Sequence, residues 1–234
     1  MDPTAALPGP RHRRRWPRRL LAVALVGLVL YLFRAPLLRL AAGVLVVDEP
    51  ETSAQVFLTS KHRYHDLAAK YYQNHPSCRI LWMELDPSRL EQMGIMPMSE
   101  EVALKLLADR GVPAEAVEIV RGEGRTEWDE ARCLGNWLQR HPDVQVVLPE
   151  SRFQTRRKRY ILNAVLGEDA RRVRVWAVAD PRYDETTWWQ SKQGVLAFFG
   201  AWCNLGYVWV WGEDVEPWQN WDPDRYEQTL MQAR

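Results

Sequence analysis

The most informative segment of the chain reads Val117-Glu-Ile-Val-Arg-Gly-Glu-Gly-Arg-Thr-Glu-Trp-Asp-Glu-Ala131. Its first four residues form a short, β-rich and largely apolar run that predicts a strand, and Gly122 and Gly124 then break that strand. Thr126 and the acidic residues after it predict the start of a helix. Backbone N–H groups and the positive end of the helix dipole point into the crevice of such a corner, which favours a small anion or polar ligand.

Strand-like and helix-like segments alternate along the chain on both sides of this segment. Strands are predicted at residues 54–59, 79–83, 117–120, 144–148 and 173–178. Helices are predicted between them, including one capped by Ser99, one over 126–140, one over 156–166, and one that starts at Thr186 and Thr187 and runs to about Val210. The alternation predicts an α/β fold with a Rossmann-like, mostly parallel sheet of about five strands and helices on both faces. Ligands of such folds bind outside the carboxyl ends of the strands.

Composition excludes several classes of function. The chain has 234 residues, of which 47% are hydrophobic and 26% charged, as in globular proteins. A net charge of +1 gives no global attraction to nucleic acid.

The cysteines and short motifs indicate no metal or cofactor. Cys78, Cys133 and Cys203 are far apart and lack zinc-ligand spacing, so we interpret them as small buried side chains. The sequence contains no P-loop and no GxGxxG, GxSxG or HExxH motif, and we predict neither a cofactor nor a metal.

The N-terminal segment has the order expected of a membrane anchor. Residues 1–19 end in a dense basic cluster from Arg11 to Arg19, and an uninterrupted apolar run, 20–33, follows. A second apolar run, 37–47, lies beyond Arg34, whose side chain can reach the headgroups and extend the usable length. We therefore predict one uncleaved signal-anchor transmembrane helix over 20–47, with residues 1–19 in the cytoplasm.

Two alternatives apply to this segment. A cleaved signal peptide would need small residues just after the apolar run, where Phe33-Arg-Ala-Pro stands instead. Nucleic-acid binding by the basic cluster fits less well, because an apolar run adjoins it.

The predicted anchor divides the rest of the chain into an α/β domain, 48–212, and a polar tail, 213–234. It places both outside the cytoplasm, in a single-pass protein of the inner (plasma) membrane.

Several motifs occur in an order that resembles the bacterial SanA/ElyC/YdcF family. They are an N-terminal anchor, Arg63 before Tyr64-His-Asp-Leu-Ala-Ala-Lys-Tyr, Ser99-Glu-Glu with Gly111-Val-Pro113, Thr126-Glu-Trp-Asp-Glu130-Ala131, the Ser-x-Phe segment from Ser151 to Arg157, and a late Trp-rich helix. The resemblance covers nearly the whole chain. It implies a Rossmann-like fold and a role in cell-envelope biogenesis.

The chain departs from that family at three places. Thr59-Ser-Lys-His62 stands where the family has a glycine-rich turn. Gln154 replaces a histidine, and Ala201 and Asn204 replace a Glu-x-x-Lys pair. A glutamine orients a ligand but does not transfer protons near neutral pH, so these departures argue against catalysis.

The candidate site collects polar residues that follow three predicted strands. Expected ligand-binding residues are Arg63, Gly124, Arg125, Thr126, Ser151, Gln154 and Arg157, and the candidate acids are Glu127 and Glu130. A purely structural alternative makes Thr126 a helix N-cap with acids in the first turn. The other charges of residues 156–159 are interpreted as a solvated basic helix face, His62 and His65 as solvent-exposed or helix-face histidines, and Trp188 and Trp189 as core or interfacial residues.

These observations predict an extracytoplasmic protein, held by one N-terminal helix, that binds a small anionic ligand, phosphate-containing or lipid-linked. Two other hypotheses stay open at this point. One is a non-catalytic, partner-binding protein whose site has degenerated. The other is a nucleotide-binding protein that faces the cytoplasm.

Overall fold

The computed structural model describes residues 33–49 and 54–213, together with residues 21, 24, 25, 31 and 231. Five strands form one sheet: β1 (Val56–Thr59), β2 (Arg79–Glu84), β3 (Val117–Arg121), β4 (Val146–Ser151) and β5 (Val173–Val178). All neighbouring strands are parallel, in the order β3-β2-β1-β4-β5. The prediction of a parallel sheet of about five strands is therefore confirmed.

The described residues also form seven α-helices. They are α1 (Arg34–Leu45), α2 (His65–Asn74), α3 (Arg89–Gln92), α4 (Ser99–Ala108), α5 (Glu127–Arg140), α6 (Thr155–Leu166) and α7 (Lys192–Trp211). Short 3₁₀ turns precede α2 and α6, at His62–Tyr64 and Arg152–Gln154.

Alternate residues of each strand point to opposite faces of the sheet, and each face is covered by helices. Phe57 of β1 packs among buried residues of α2 and α4, including Ala68 and Leu107. Its neighbours Val56 and Leu58 pack on the other side, in a cluster with residues of α5 and α6. The predicted placement of helices on both faces is confirmed, and it arises from the two-residue period of the strands.

The strand order creates a crevice in the middle of the sheet. From β1 the chain proceeds outward through β2 to β3, and then returns to place β4 on the opposite side of β1. β1 and β4 pair only through Val56 with Val146 and Phe57 with Val147. Their carboxyl ends therefore diverge at a topological switch point, where open α/β sheets bind ligands.

Three predicted boundaries differ from the structure. β4 continues through Pro149 to Ser151, because beyond Val147 it pairs with β5 alone and tolerates a residue without an N–H. Ser99 does not cap α4: it is the first helical residue, and its hydroxyl donates to Glu91 at 2.7 Å. The last helix starts at Lys192 rather than at Thr186, because the extended Ser191 accepts the Gly194 N–H and caps it.

Helix α1 packs on the α/β domain. The Val47 N–H donates to Thr155 Oγ1 at 2.8 Å, and Arg156 Nε donates to the Val44 carbonyl at 2.8 Å. Ala42 and Leu45 are buried in a cluster with aromatic side chains that precede and begin α7. The carboxyl-terminal part of the predicted span 20–47 therefore contacts the domain directly.

The first apolar run of the predicted transmembrane span, 20–33, lies mostly outside the described residues, as do the basic cluster and most of the tail 213–234. Among the residues that the structure describes, one helix, Lys192–Trp211, is long and apolar enough to cross a membrane by length and composition.

The three cysteines are free thiols. Cys78 and Cys133 are buried, as predicted, but Cys203 is exposed. The prediction for Cys203 was wrong because α7 is apolar on its outward face as well as on its inward face.

Candidate functional site

The crevice between β1 and β4 holds a polar pocket of about 630 Å³. A pocket of this size accommodates a small ligand. Its lining comes from the residues after β1, the start of α5, the end of β4, the turn before α6, the first turn of α6, the loop after β5, and α7. These residues are Lys61, His62, Arg63, Glu127, Glu150, Ser151, Phe153, Gln154, Arg157, Tyr183, Ala197 and Asn204.

Glu150, at the end of β4, organises the floor of this pocket. It is 2% exposed and accepts hydrogen bonds from Arg63 at 2.9 Å and from the Ser151 N–H at 2.7 Å, and it also pairs with Lys61. Burial raises the pKa of the Glu150 carboxyl, but the ammonium groups of Lys61 and Lys158 outweigh that effect and bring the pKa below its usual range. Glu150 is therefore an anion that holds two cations in place.

Among the described residues that line it, the pocket has more cations than carboxylates. Lys61 and Arg63 share Glu150, and the remaining cation, Arg157, lies 3.7 Å from Glu127 Oε1. The Arg63 side chain is 53% exposed, so it can turn part of its guanidinium toward a ligand. Three cations against two carboxylates favour an anionic ligand, and two of the cations are arginines, which bind phosphate or carboxylate oxygens in pairs.

Neutral polar groups complete the lining. Ser151 and Asn204 supply a hydroxyl and an amide, and Gln154 stands between the β4 end and α6. The Gln154 Oε1 atom is buried without a hydrogen-bond partner among the described residues. Since an unsatisfied buried oxygen is costly, this atom is available to a donor group of a ligand.

Five of the predicted site residues meet in this pocket. They are Arg63, Ser151, Gln154, Arg157 and the candidate acid Glu127. The other candidate acid, Glu130, does not line it. Glu130 is buried, pairs with Lys158 and accepts from Ser60 Oγ at 2.8 Å.

Gly124, Arg125 and Thr126 also lie outside the pocket. β3 is the edge strand, and β2 and β1 separate its end from that of β4. The Asp129 carboxylate accepts from the N–H groups of Arg125 and Thr126, each at 3.0 Å, and from the Thr126 hydroxyl at 2.7 Å. The chain's own carboxylate therefore occupies the anion position at this helix start, which agrees with the alternative of Thr126 as an N-cap.

The prediction that residues 156–159 form a solvated basic helix face is wrong. These four side chains are buried or half-buried because each reaches a partner on another element. Arg156 donates to Val44, Arg157 faces Glu127, Lys158 pairs with Glu130, and Arg159 pairs with Glu49.

His65 begins α2, in keeping with the helix-face alternative, but it is not exposed to solvent. Its ring is 2% exposed and stacks on Trp82, and neither ring nitrogen has a hydrogen-bond partner among the described residues. Burial is the main reason that the His65 pKa falls to about 4. Trp188, in contrast, is a core residue as predicted, stacked on Phe198.

Sequence reasoning did not find Lys61, Glu150 and Tyr183. Lys61 is the second residue after β1, and Thr59 Oγ1 accepts its N–H at 3.2 Å, which turns the chain toward β4. Glu150 could have been found by extending β4 past Pro149, since a carboxylate at the end of an inner strand needs cationic partners. Nothing in the sequence near Tyr183 indicates a site.

Among the residues described, no group of three or more His, Cys, Asp or Glu side chains is arranged to hold a metal ion. The chain matches no model of a known protein family, and it matches no curated protein. The resemblance to the SanA/ElyC/YdcF family therefore stays a prediction from the motifs themselves.

Proposed function

We propose that this protein is a membrane-anchored, extracytoplasmic member of the cell-envelope machinery that binds an anionic ligand between β1 and β4. The ligand class is a compound with an exposed phosphate group, soluble or lipid-linked. One observation carries the proposal: among the described residues, Lys61, Arg63 and Arg157 line a single pocket with two carboxylates, those of Glu127 and Glu150. A phosphate oxygen is a strong acceptor for guanidinium donors, and the excess positive charge attracts it.

Binding of inorganic pyrophosphate to the full-length protein in lipid nanodiscs tests this proposal by calorimetry. Arg63→Gln and Arg157→Gln each remove one cation from the pocket. A charge-assisted hydrogen bond contributes about 1.5–3 kcal/mol, so each variant should weaken binding roughly 10- to 100-fold. Arg171→Gln is the matched control, because Arg171 pairs with Glu168 on the surface, away from the pocket. Equal affinity in all four proteins, or no binding by the parent, contradicts the proposal.

The pocket supports binding better than catalysis. Gln154 stands where a proton-transfer group is expected from the family resemblance, and Glu127 faces Arg157. We expect no phosphate release from p-nitrophenyl phosphate by the parent. Release by Gln154→His alone would show that the pocket lacks only a proton-transfer group, whereas release by the parent would make the protein an enzyme.

The basic cluster 11–19 before the apolar run 20–33 supports the extracytoplasmic placement. The envelope role rests on the family resemblance. A reporter fused after Arg234 that fluoresces only in the cytoplasm should stay dark. Fluorescence would instead support the hypothesis of a cytoplasm-facing nucleotide-binding protein.

A further inference from the structure

Helix α7 is apolar on two opposite faces. Its inner face, Gly194, Phe198, Ala201, Leu205 and Val208, recurs every three or four residues and is buried against the domain. Its outer face, formed by Leu196, Phe199, Cys203 and Val210, lies on the opposite side of the helix and is exposed. A helix on the surface of a water-soluble domain normally carries polar residues outward, and an exposed apolar stripe of this length indicates a contact surface.

Helix α1 adds a second exposed apolar stripe beside the first. Leu37, Leu40 and Val44 of α1 are exposed at helical spacing. The buried side of α1 packs in the same cluster as the inner face of α7, through Ala42 and Leu45. The two helices therefore belong to one layer of the molecule, and each presents apolar side chains outward.

Three features identify a lipid bilayer as the partner of this layer. The apolar run 20–33, the first part of the predicted transmembrane span 20–47, leads directly into α1. Within α7 the only charged residue is Lys192, at its very start. Exposed Tyr207, Trp209 and Trp211 lie at its other end, and such aromatic residues are typical of the boundary between lipid and water.

We propose that the outer faces of α7 and α1 lie in the apolar part of the membrane, as a second and monotopic attachment of the domain. This inference rests on the membrane attachment in the proposed function. α7 lies along the membrane and does not cross it, because its inner face is buried in the domain and Glu213, just beyond its end, pairs with Arg132 of α5. Ala197 and Asn204 of the same helix line the pocket, which favours a ligand carried on a lipid headgroup.

The exposed thiol of Cys203 allows a direct test in the full-length protein. Cys78 and Cys133 are buried, so an environment-sensitive nitrobenzoxadiazole label reacts with Cys203, and Cys203→Ser checks this selectivity. In phosphatidylcholine and phosphatidylglycerol vesicles, the label should emit at shorter wavelength than in water, and doxyl-labelled lipid should quench it at least twofold. The matched control places the same label at Lys70→Cys in the Cys203→Ser background, since Lys70 is exposed on the opposite face of the sheet and should not be quenched.

Two charged substitutions test whether the outer face itself makes the contact. Leu196 and Ile95 are both 63% exposed, but Ile95 lies in the loop after α3. Leu196→Glu should abolish quenching of the Cys203 label, whereas Ile95→Glu should leave it unchanged. Flotation with vesicles measures whether each variant is attached to the membrane at all, which depends on the N-terminal anchor. A parent protein that floats but whose Cys203 label is not quenched therefore contradicts this inference, whereas a parent protein that does not float contradicts the predicted anchor.

A Cys203 label that emits as in water overturns the proposal. So does a label that is shielded from water but not quenched by doxyl lipid, because the outer face would then be covered by another copy of the chain or by its own tail. Equal quenching in Leu196→Glu and the parent likewise contradicts a lipid contact at this face.

Discussion

Lys158 of α6 and Glu130 of α5 form an ion pair whose side chains are only 2% and 8% exposed. Burial lowers the pKa of Lys158, but the carboxylates of Glu130, Glu127 and Glu150 outweigh that effect and raise the pKa above its usual range. The pair therefore connects two helices to the charged floor of the pocket. Glu130 contributes to the scaffold of the site and does not line the pocket.

We expect Glu130→Leu and Lys158→Leu each to lower the free energy of unfolding by about 3–5 kcal/mol, because each leaves a buried charge without its partner. The double variant should recover most of this loss, since two apolar side chains then replace two desolvated charges. Urea unfolding of the full chain in detergent micelles, followed by tryptophan fluorescence, measures these differences.

A surface pair provides the control for this experiment. Arg171 and Glu168 pair at 2.8 Å with both side chains largely exposed, so Arg171→Leu should change stability by no more than about 0.5 kcal/mol. Single variants of the buried pair that are as mild as Arg171→Leu would contradict the burial of Lys158 and Glu130.

Thr126 gives a prediction that separates the helix cap from the ligand site. Its hydroxyl accepts the Asp129 N–H at 3.1 Å, and Asp129 reciprocates at the Thr126 N–H. Thr126→Ala should lower the free energy of unfolding by about 1 kcal/mol and leave pyrophosphate affinity unchanged, because the cap lies outside the pocket. A tenfold loss of pyrophosphate affinity in Thr126→Ala, measured by calorimetry beside Arg157→Gln, would instead show that the start of α5 contributes to the ligand site.

The fold was predictable from sequence because its strands and helices differ in period. Phe57 and Leu58 point to opposite faces, and both faces are covered, so β1 appears as a continuous apolar run. Arg63 and Ser151 were predicted to meet because parallel strands end at the same edge of the sheet. Placing Thr126 beside them failed because the strand order, which puts β3 at the edge, is a long-range property.

The pairing of charges was the part that sequence patterns did not reveal. Residues 156–159 have the composition of a solvated face, yet their partners are Val44, Glu127, Glu130 and Glu49, which are far away along the chain. Asp129, in contrast, could have been read from the sequence, because a carboxylate three residues after Thr126 is a local capping pattern. This pattern indicates that the backbone N–H groups of the turn already donate to Asp129 and are not available to a ligand.

His65 makes stability depend on pH. Its ring is buried and neutral in the folded protein, and its pKa is lowered to about 4, chiefly by that burial. The unfolded chain binds the proton more readily, so the contribution of His65 is complete above about pH 6.5 and is lost as the pH falls toward 4. His65→Phe retains a ring against Trp82 and should flatten the decline in urea midpoint between pH 6.5 and 4.5. Identical pH profiles for the variant and the parent would exclude His65 as the source.

Thr155 tests whether α1 is held to the domain. Its hydroxyl oxygen accepts the Val47 N–H at 2.8 Å, and it is fully buried. Thr155→Val retains the shape of the side chain but leaves that N–H without its acceptor, at a cost of about 1–3 kcal/mol. We expect faster amide hydrogen exchange in peptides covering residues 40–49, with exchange near the pocket unchanged. Thr186→Val is the matched control, because the exposed Thr186 hydroxyl donates to nearby Asp184. If both variants leave exchange at residues 40–49 unaltered, the Thr155 bond does not secure α1, and its apolar packing alone holds the helix against the domain.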